Sequence, residues 1–182
     1  MVEDQLLKWK LRRGSKEALA QVYQKYIDSM LTLAVGLLNN RATAEDVVQD
    51  VFLSFARSAG ELRLQGSLRS YLMTAVLNRV RDHRRRLGRQ ALRADAAEPV
   101  DPECRSSDPE EAAILVEETA RLGGAIAQLP DEQREVVLLR LKANMRFRDI
   151  AGLQQTSLNT VLGRYRYGLD RLRAMLNGEV ER

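Results

Sequence analysis

The chain carries one cysteine, one histidine and four prolines in 182 residues, and 5% of its residues are aromatic. A lone Cys104 cannot close an intramolecular disulfide, and a lone His83 leaves no Cys/His set for a structural zinc. The longest apolar run, Met30 to Leu38, is interrupted by Thr32 and Gly36 and falls far short of the ~20 residues of a bilayer span. The N-terminus reads Met-Val-Glu-Asp-Gln, acidic where a secretory signal needs a basic patch, so a cytoplasmic protein is expected. There is no Gly-rich phosphate loop, no His/Glu zinc helix and no nucleophile beside a base, His83 being embedded among arginines. No catalytic residue, metal ligand or cofactor site is therefore nominated, and an enzyme is the least favoured class.

Leu, Ala, Arg, Val and Glu dominate what is there, which is the composition of packed helices rather than of a sandwich or barrel. The expected fold is all-α. The formal net charge is +4, from 29 Lys+Arg and 25 Asp+Glu, but it is segregated along the chain. Residues 1–93 hold 17 basic and 9 acidic side chains, 94–120 hold 1 and 9, and 121–182 hold 11 and 7. Three of the four prolines fall in the acidic stretch, which lacks apolar periodicity to about Ala112 and cannot bury enough surface to offset its ordering entropy. The reading is two small helical domains, 1–93 and 112–182, joined by a flexible acidic linker over 94–111. Cys104 lies alone in that linker, with no resolving thiol for a redox switch.

Asp4 to Arg12 reads as a short helix closed by Gly14, and Ser15 then caps a long helix that ends at Asn39-Asn40. Its apolar residues (Leu19, Val22, Tyr23, Tyr26, Ile27, Met30, Leu33, Ala34, Leu37, Leu38) recur at helical spacing. Thr43 with Asp46 three positions on predicts the next helix start, with Val47, Val48, Val51, Phe52 and Phe55 on its apolar face. Glu45, Asp46, Gln49 and Asp50 take the other face, where first-turn capping alone would account for acids. After a loop at 61–67, Ser67 caps a helix to Arg86 whose stripe (Leu68, Tyr71, Leu72, Ala75, Val76, Val80) gives way to Arg79, Arg81, Arg84, Arg85 and Arg86. One or two cations there would offset the helix dipole; five in eight residues beside a tyrosine fit a nucleic-acid backbone better.

In the second basic lobe, Glu110 to Gln128 reads as a helical stretch loosened by Gly123-Gly124, and Pro130 opens a helix to Leu141. Phe147 to about Gln154 and Ser157 to about Met175 form a helix-turn-helix, with Ile150 and Ala151 packing the first helix and Leu158 and Val161 the second. Its second helix presents Ser157, Asn159, Thr160, Arg164 and Arg166 for groove and phosphate contact.

Three segments, in order, resemble the extracytoplasmic-function group of bacterial RNA polymerase sigma factors, within the sigma-70 family. Ala44-Glu-Asp-Val-Val-Gln-Asp-Val-Phe52 resembles the polymerase-binding helix of region two, and Gly66 to Asn78 resembles the promoter-reading segment after it. Leu129-Pro-Asp-Glu-Gln-Arg-Glu-Val-Val-Leu-Leu-Arg140 with the helix-turn-helix resembles region four, and the match spans roughly 15–90 and 110–176. The resemblance implies that Asp46, Gln49 and Asp50 bind the clamp helices of the largest subunit of core RNA polymerase. It implies that the loop 61–67 and the helix bearing Arg69, Tyr71, Asn78, Arg79, Asp82, Arg84, Arg85 and Arg86 melt and hold the −10 element of promoter DNA. The helix from Ser157 would read the −35 element. Members of the group are commonly held inactive by an anti-sigma factor clamped over both lobes, a partner the resemblance admits here, and no cofactor is implied.

The chain departs from the family pattern at several positions. Gln155 stands where the turn usually holds Gly, followed by Thr156, and Leu162 replaces a commonly basic residue. Gly163 follows it inside the helix, and Tyr71 stands where region two has a tryptophan. The expected function is a sigma factor that binds core polymerase and directs promoter-specific initiation, including −10 melting. The alternative is a helix-turn-helix regulator that acts on DNA without polymerase.

Overall fold

The computed structural model describes residues 2–61, 64, 66–91 and 120–177, and within them every regular element is a helix. The expected linker at 94–111, Cys104, and Leu62, Arg63 and Gln65 of the loop 61–67 lie outside the described residues. In the N-terminal half, α1 spans Val2–Arg12, α2 Lys16–Leu38, α3 Arg41–Ser58 and α4 Leu68–Ala91. The C-terminal half holds a helical segment at 120–127, then α5 (Asp131–Leu141), α6 (Phe147–Leu153) and α7 (Leu158–Asn177).

The helix starts follow local chemistry. Ser15 caps α2 by accepting from the Ala18 N–H at 3.1 Å, and its hydroxyl donates to Glu17 at 2.9 Å. A backbone hydrogen bond first, and Ser15 second, hold the Glu17 carboxyl below its usual range. Ser67 caps α4 through the Ser70 N–H at 3.0 Å. At α3 the expected start shifts. Asn40, not Thr43, is the N-cap, accepting from the Thr43 N–H at 2.8 Å, and Asn39 before it closes α2 at φ 52°. With two asparagines in succession, one adopts the left-handed C-cap and the next can cap the following helix. Gly123-Gly124 does not break its helix, which runs through both residues.

Val22, Met30, Leu33 and Leu37 of α2 are buried against Val47, Val48, Val51 and Phe55 of α3 and Leu68, Leu72, Met73, Val76, Leu77 and Val80 of α4. At roughly 1.5–3 kcal/mol per fully buried large aliphatic side chain, this three-helix core dominates the stability of the half. Tyr23, Phe52, Phe55 and Tyr71 form a run of ring contacts at 4.7, 5.8 and 6.0 Å that ties α2, α3 and α4 together. Tyr23 is 44% exposed, so its face of α2 is a rim rather than core. Asp4 joins three helices: it accepts from the Tyr26 hydroxyl at 2.9 Å and from the Leu68 N–H at 3.2 Å, serving as a remote cap for α4.

In the C-terminal half α5 lies between two neighbours. Val137 packs where α7 passes at Gly168, so closely that a Cβ there would stand 2.9 Å from Val137 Cγ2. On another side, Leu138 packs on Gly36 of α2, where a Cβ would stand 2.9 Å from Leu138 Cδ1. Four successive apolar residues, Val136 to Leu139, leave no polar face along that stretch of α5, and all four are buried. One hydrophobic cluster accordingly runs from α1 through α5 to Val161 of α7, joining the two halves.

Candidate polymerase- and promoter-binding surfaces

The acidic face of α3 is opposite its core face. Asp46, Gln49 and Asp50 are exposed while Val47, Val48 and Val51 are buried, so the three polar residues present one outward patch at i, i+3 and i+4 spacing. Glu45 beside them pairs with Arg41 at 2.8 Å. Asp50 forms an ion pair with Arg79 of α4, so the two residues nominated for polymerase and for DNA meet. Asp50, Phe55, Tyr71, Ala75 and Arg79 line a hollow of about 370 Å³ between α3 and α4.

Apart from Arg79, the polar residues nominated on α4 fall into an exposed set and a set turned to the C-terminal half. Asn78, Arg85 and Arg86 are exposed, and Asp82, Arg85, Arg86 and Arg89 border an open groove of about 510 Å³ on the last turns of the helix. Asp82 pairs with Arg85 at 2.7 Å. The other set faces the C-terminal half. Arg69 donates from Nε to the Ala143 carbonyl at 2.7 Å, and from Nη2 to the Lys142 carbonyl at 2.8 Å and Ser29 Oγ at 3.3 Å. These carbonyls follow the end of α5, so Arg69 serves as a cationic cap on that helix. Arg84 pairs with Asp131 at 2.8 Å and donates to the Leu37 carbonyl. Arg81 grips Glu135 with two parallel bonds, Nε to Oε1 at 3.0 Å and Nη2 to Oε2.

Glu135 was not singled out in the sequence, yet it is the one buried carboxylate among the described residues, 7% exposed. It also accepts from Gln154 Nε2 at 3.2 Å. The signal that could have found it is its place directly before Val136 to Leu139, a run of four apolar residues that marks this stretch of the helix as buried on every side. Arg134, next to it, donates to the Ile126, Ala127 and Leu129 carbonyls; burial lowers its pKa, with Arg84 acting in the same direction and Asp131 opposing.

In the helix-turn-helix, Ile150 and Ala151 of α6 and Val161 of α7 are buried. Gln155 takes the left-handed turn position at φ 50°, and the Thr156 N–H donates to the Ala151 carbonyl at 3.0 Å. Ser157 caps α7 by accepting from the Thr160 N–H at 3.1 Å, and the two hydroxyls lie 2.8 Å apart. Asn159, Thr160 and Arg166 are exposed. Arg164 turns back instead, donating from Nη1 to Gln154 Oε1 at 2.8 Å, where it braces the turn. Leu158, expected in the core, is 36% exposed, and Leu162 is 41% exposed. A helix whose buried line is Val161, Gly168 and Leu172 swings both leucines toward solvent.

Among the described residues no group of three His, Cys, Asp or Glu side chains could hold a metal, and no helix is long and apolar enough to cross a membrane.

Residues 22–90, from the middle of α2 to the end of α4, match the sequence profile of sigma-70 region 2. Over 175 residues the chain is 29% identical to the RNA polymerase sigma factor CarQ of Myxococcus xanthus, covering 94% of this chain and 96% of that one. It is 28% identical over 169 residues to the RNA polymerase sigma-H factor of Pseudomonas aeruginosa, covering 89% and 88%. Two solved structures share the fold. One is the sigma factor RpoE of Bartonella quintana in complex with the anti-sigma factor NepR, with a TM-score of 0.72, 21% identity, and 90% of this chain and 98% of that one covered. The other is CnrH in complex with the cytosolic domain of CnrY, with a TM-score of 0.70, 22% identity, and 96% and 97% covered. The chain belongs to the extracytoplasmic-function group of the sigma-70 family and is a sigma factor that directs transcription.

Proposed function

We propose that this sigma factor docks on the clamp helices of core RNA polymerase through Asp46, Gln49 and Asp50 and carries the enzyme to promoters. The observation that carries this reading is the outward face of α3: exposed polar residues at helical spacing, set rigidly by Val47, Val48 and Val51 beneath them. Tyr71, Asn78, Arg79, Asp82, Arg85 and Arg86 of α4 then serve the −10 element, and Asn159, Thr160 and Arg166 of α7 the −35 element, with Ser157 and Arg164 holding that helix in place. The protein needs no active site or cofactor of its own, and it works in the cytoplasm with the polymerase.

Arg69 and Arg84 belong to the −10 set only after a rearrangement. Packed as described, they serve the joint between the halves, and side-chain bonds run unbroken from Arg81 through Glu135 and Gln154 to Arg164 of α7. By their own numbering the two promoter elements lie roughly 25 base pairs apart, about 85 Å of duplex at 3.4 Å per pair. A three-contact bridge from α4 to α7 cannot span that distance, so promoter engagement requires the joint to open. The closed arrangement suits an anti-sigma partner, as the RpoE structure from Bartonella quintana carries, and we extend such a partner to this chain.

A pull-down with bacterial core polymerase tests the reading. Wild type is expected to bind, and both Asp46→Lys/Asp50→Lys and Asp46→Lys/Gln49→Lys to fail. The second variant leaves the Asp50–Arg79 pair intact, so its failure cannot come from disturbing α4. Retention of DNA binding with no polymerase binding by any form would favour the regulator that acts alone.

A further inference from the structure

We propose that Leu162 and Gly163 of α7 form a thymine-methyl reading patch, so that the upstream element is recognised partly by its 5-methyl groups; this rests on α7 being the −35 reader. Asn159, Leu162, Gly163 and Arg166 fall within about 100° of arc at 100° per residue, across the helix from buried Val161, Gly168 and Leu172. No acidic residue occurs between Leu158 and Leu169, so nothing on these turns repels a duplex. Leu162 is 41% exposed on this polar, cationic face.

Gly163 adds an independent observation. Among the described residues a Cβ built there meets nothing within 4 Å, and its φ is not positive, so neither their packing nor the backbone conformation calls for glycine. In a helix interior it forgoes the propensity of alanine. What it provides is a bare strip of backbone on the outward face, which lets the helix approach another surface closely.

The chemistry of the major groove selects the ligand. Every base edge there offers hydrogen-bond donors or acceptors, and the single apolar group is the C5-methyl of thymine. A leucine set over any other base would desolvate polar atoms without replacing their bonds. With Gly163 bringing the helix axis inward, the Leu162 isobutyl group reaches a thymine methyl while Asn159 and Arg166 on the same face take polar edges or phosphates. The departures from the family pattern at 162 and 163 thereby redirect recognition.

The test uses the full chain bound to core polymerase and a duplex pool randomised over the upstream element. The enriched element is expected to contain thymine at one or two fixed positions. Replacing those thymines by deoxyuridine removes only the methyl groups, and wild type is expected to bind about fourfold more weakly for each buried methyl lost. Leu162→Ala, a change at an exposed site, should bind thymine and deoxyuridine duplexes equally. Gly163→Ala should raise the thermal midpoint yet weaken binding to the enriched element. An enriched element without thymine, or equal wild-type affinity for the two duplexes, would overturn the proposal. No enrichment of any sequence would instead remove the −35 reading, and the proposal with it.

Discussion

Replacing Arg81 by alanine should open the joint between the two halves, and the structure gives the size of the effect. The substitution removes both bonds to Glu135 and the longer one, 3.4 Å, to the Leu153 carbonyl. Glu135 is left 7% exposed with Gln154 as its remaining donor. Stranding a buried charge costs about 3–5 kcal/mol. The Arg81 side chain is 32% exposed, so water enters once it is gone, and about 2 kcal/mol is the expected figure. That lowers the closed-to-open ratio about thirtyfold. Glu135→Ala should cost less, about 1 kcal/mol, because Arg81 can turn to solvent. The double variant should fall short of the sum by about 1 kcal/mol, the coupling expected of a contacting charged pair.

Fluorophores on Ser54→Cys and Arg171→Cys, in a Cys104→Ser background, would report the separation of the halves, since Ser54 and Arg171 are both exposed on α3 and α7. Transfer efficiency should fall in the order wild type, Glu135→Ala, Arg81→Ala, with helical circular dichroism unchanged. Equal transfer in all forms, or strict additivity in the double variant, would refute the argument that this pair holds the joint.

Two further substitutions test the C-terminal half. Gly168→Ala places a methyl 2.9 Å from Val137 Cγ2 and 3.5 Å from Gln133 Cβ, and should destabilise by about 1–3 kcal/mol in urea unfolding, with Val137→Ala restoring most of it. Gln155 holds φ 50°, so Gln155→Gly should stabilise by about 0.5–1 kcal/mol, read as a higher thermal midpoint; a lower midpoint would mean the Gln155 side chain contributes more than its backbone strain removes.

Much of the fold was legible because its determinants are local. Ser15 and Ser67 announce α2 and α4 within three residues of the N–H groups they cap, and the valines of α3 declare its buried face by spacing alone. The outward set Asp46, Gln49 and Asp50 follows from the same spacing. What the sequence hid is non-local. Asp4 caps a helix 64 residues away, and Arg81 finds Glu135 across 54 residues. Five arginines in one run look alike in sequence, yet tertiary contact turns Arg81 and Arg84 to the joint and leaves Arg85 and Arg86 exposed. Arg164 likewise reads as a groove contact until Gln154 is seen to claim it. Leu158 reads as core because it is apolar and opens a helix, but the buried line begins at Val161.

The apolar run of α5 carries the consequence that matters most for function. A helix serving only the helix-turn-helix would need one buried stripe, for α7, and its other side would be polar. Here Leu138 and Glu135 look away from α7, toward Gly36 and Arg81 of the N-terminal half. Separating the halves therefore exposes a leucine, worth about 1.5–3 kcal/mol, and frees the paired charges of Glu135 and Asp131 along with the Arg69 cap. The polar contacts return most of their energy through hydration, so the net resistance to opening is small beside the three-helix core of the N-terminal half. A partner that binds the open form more tightly than the closed one by a few kcal/mol is enough to shift the balance. The three arginines it releases, Arg69, Arg81 and Arg84, are cations on the helix proposed to meet the −10 element, so opening the joint and arming that helix for DNA are one event.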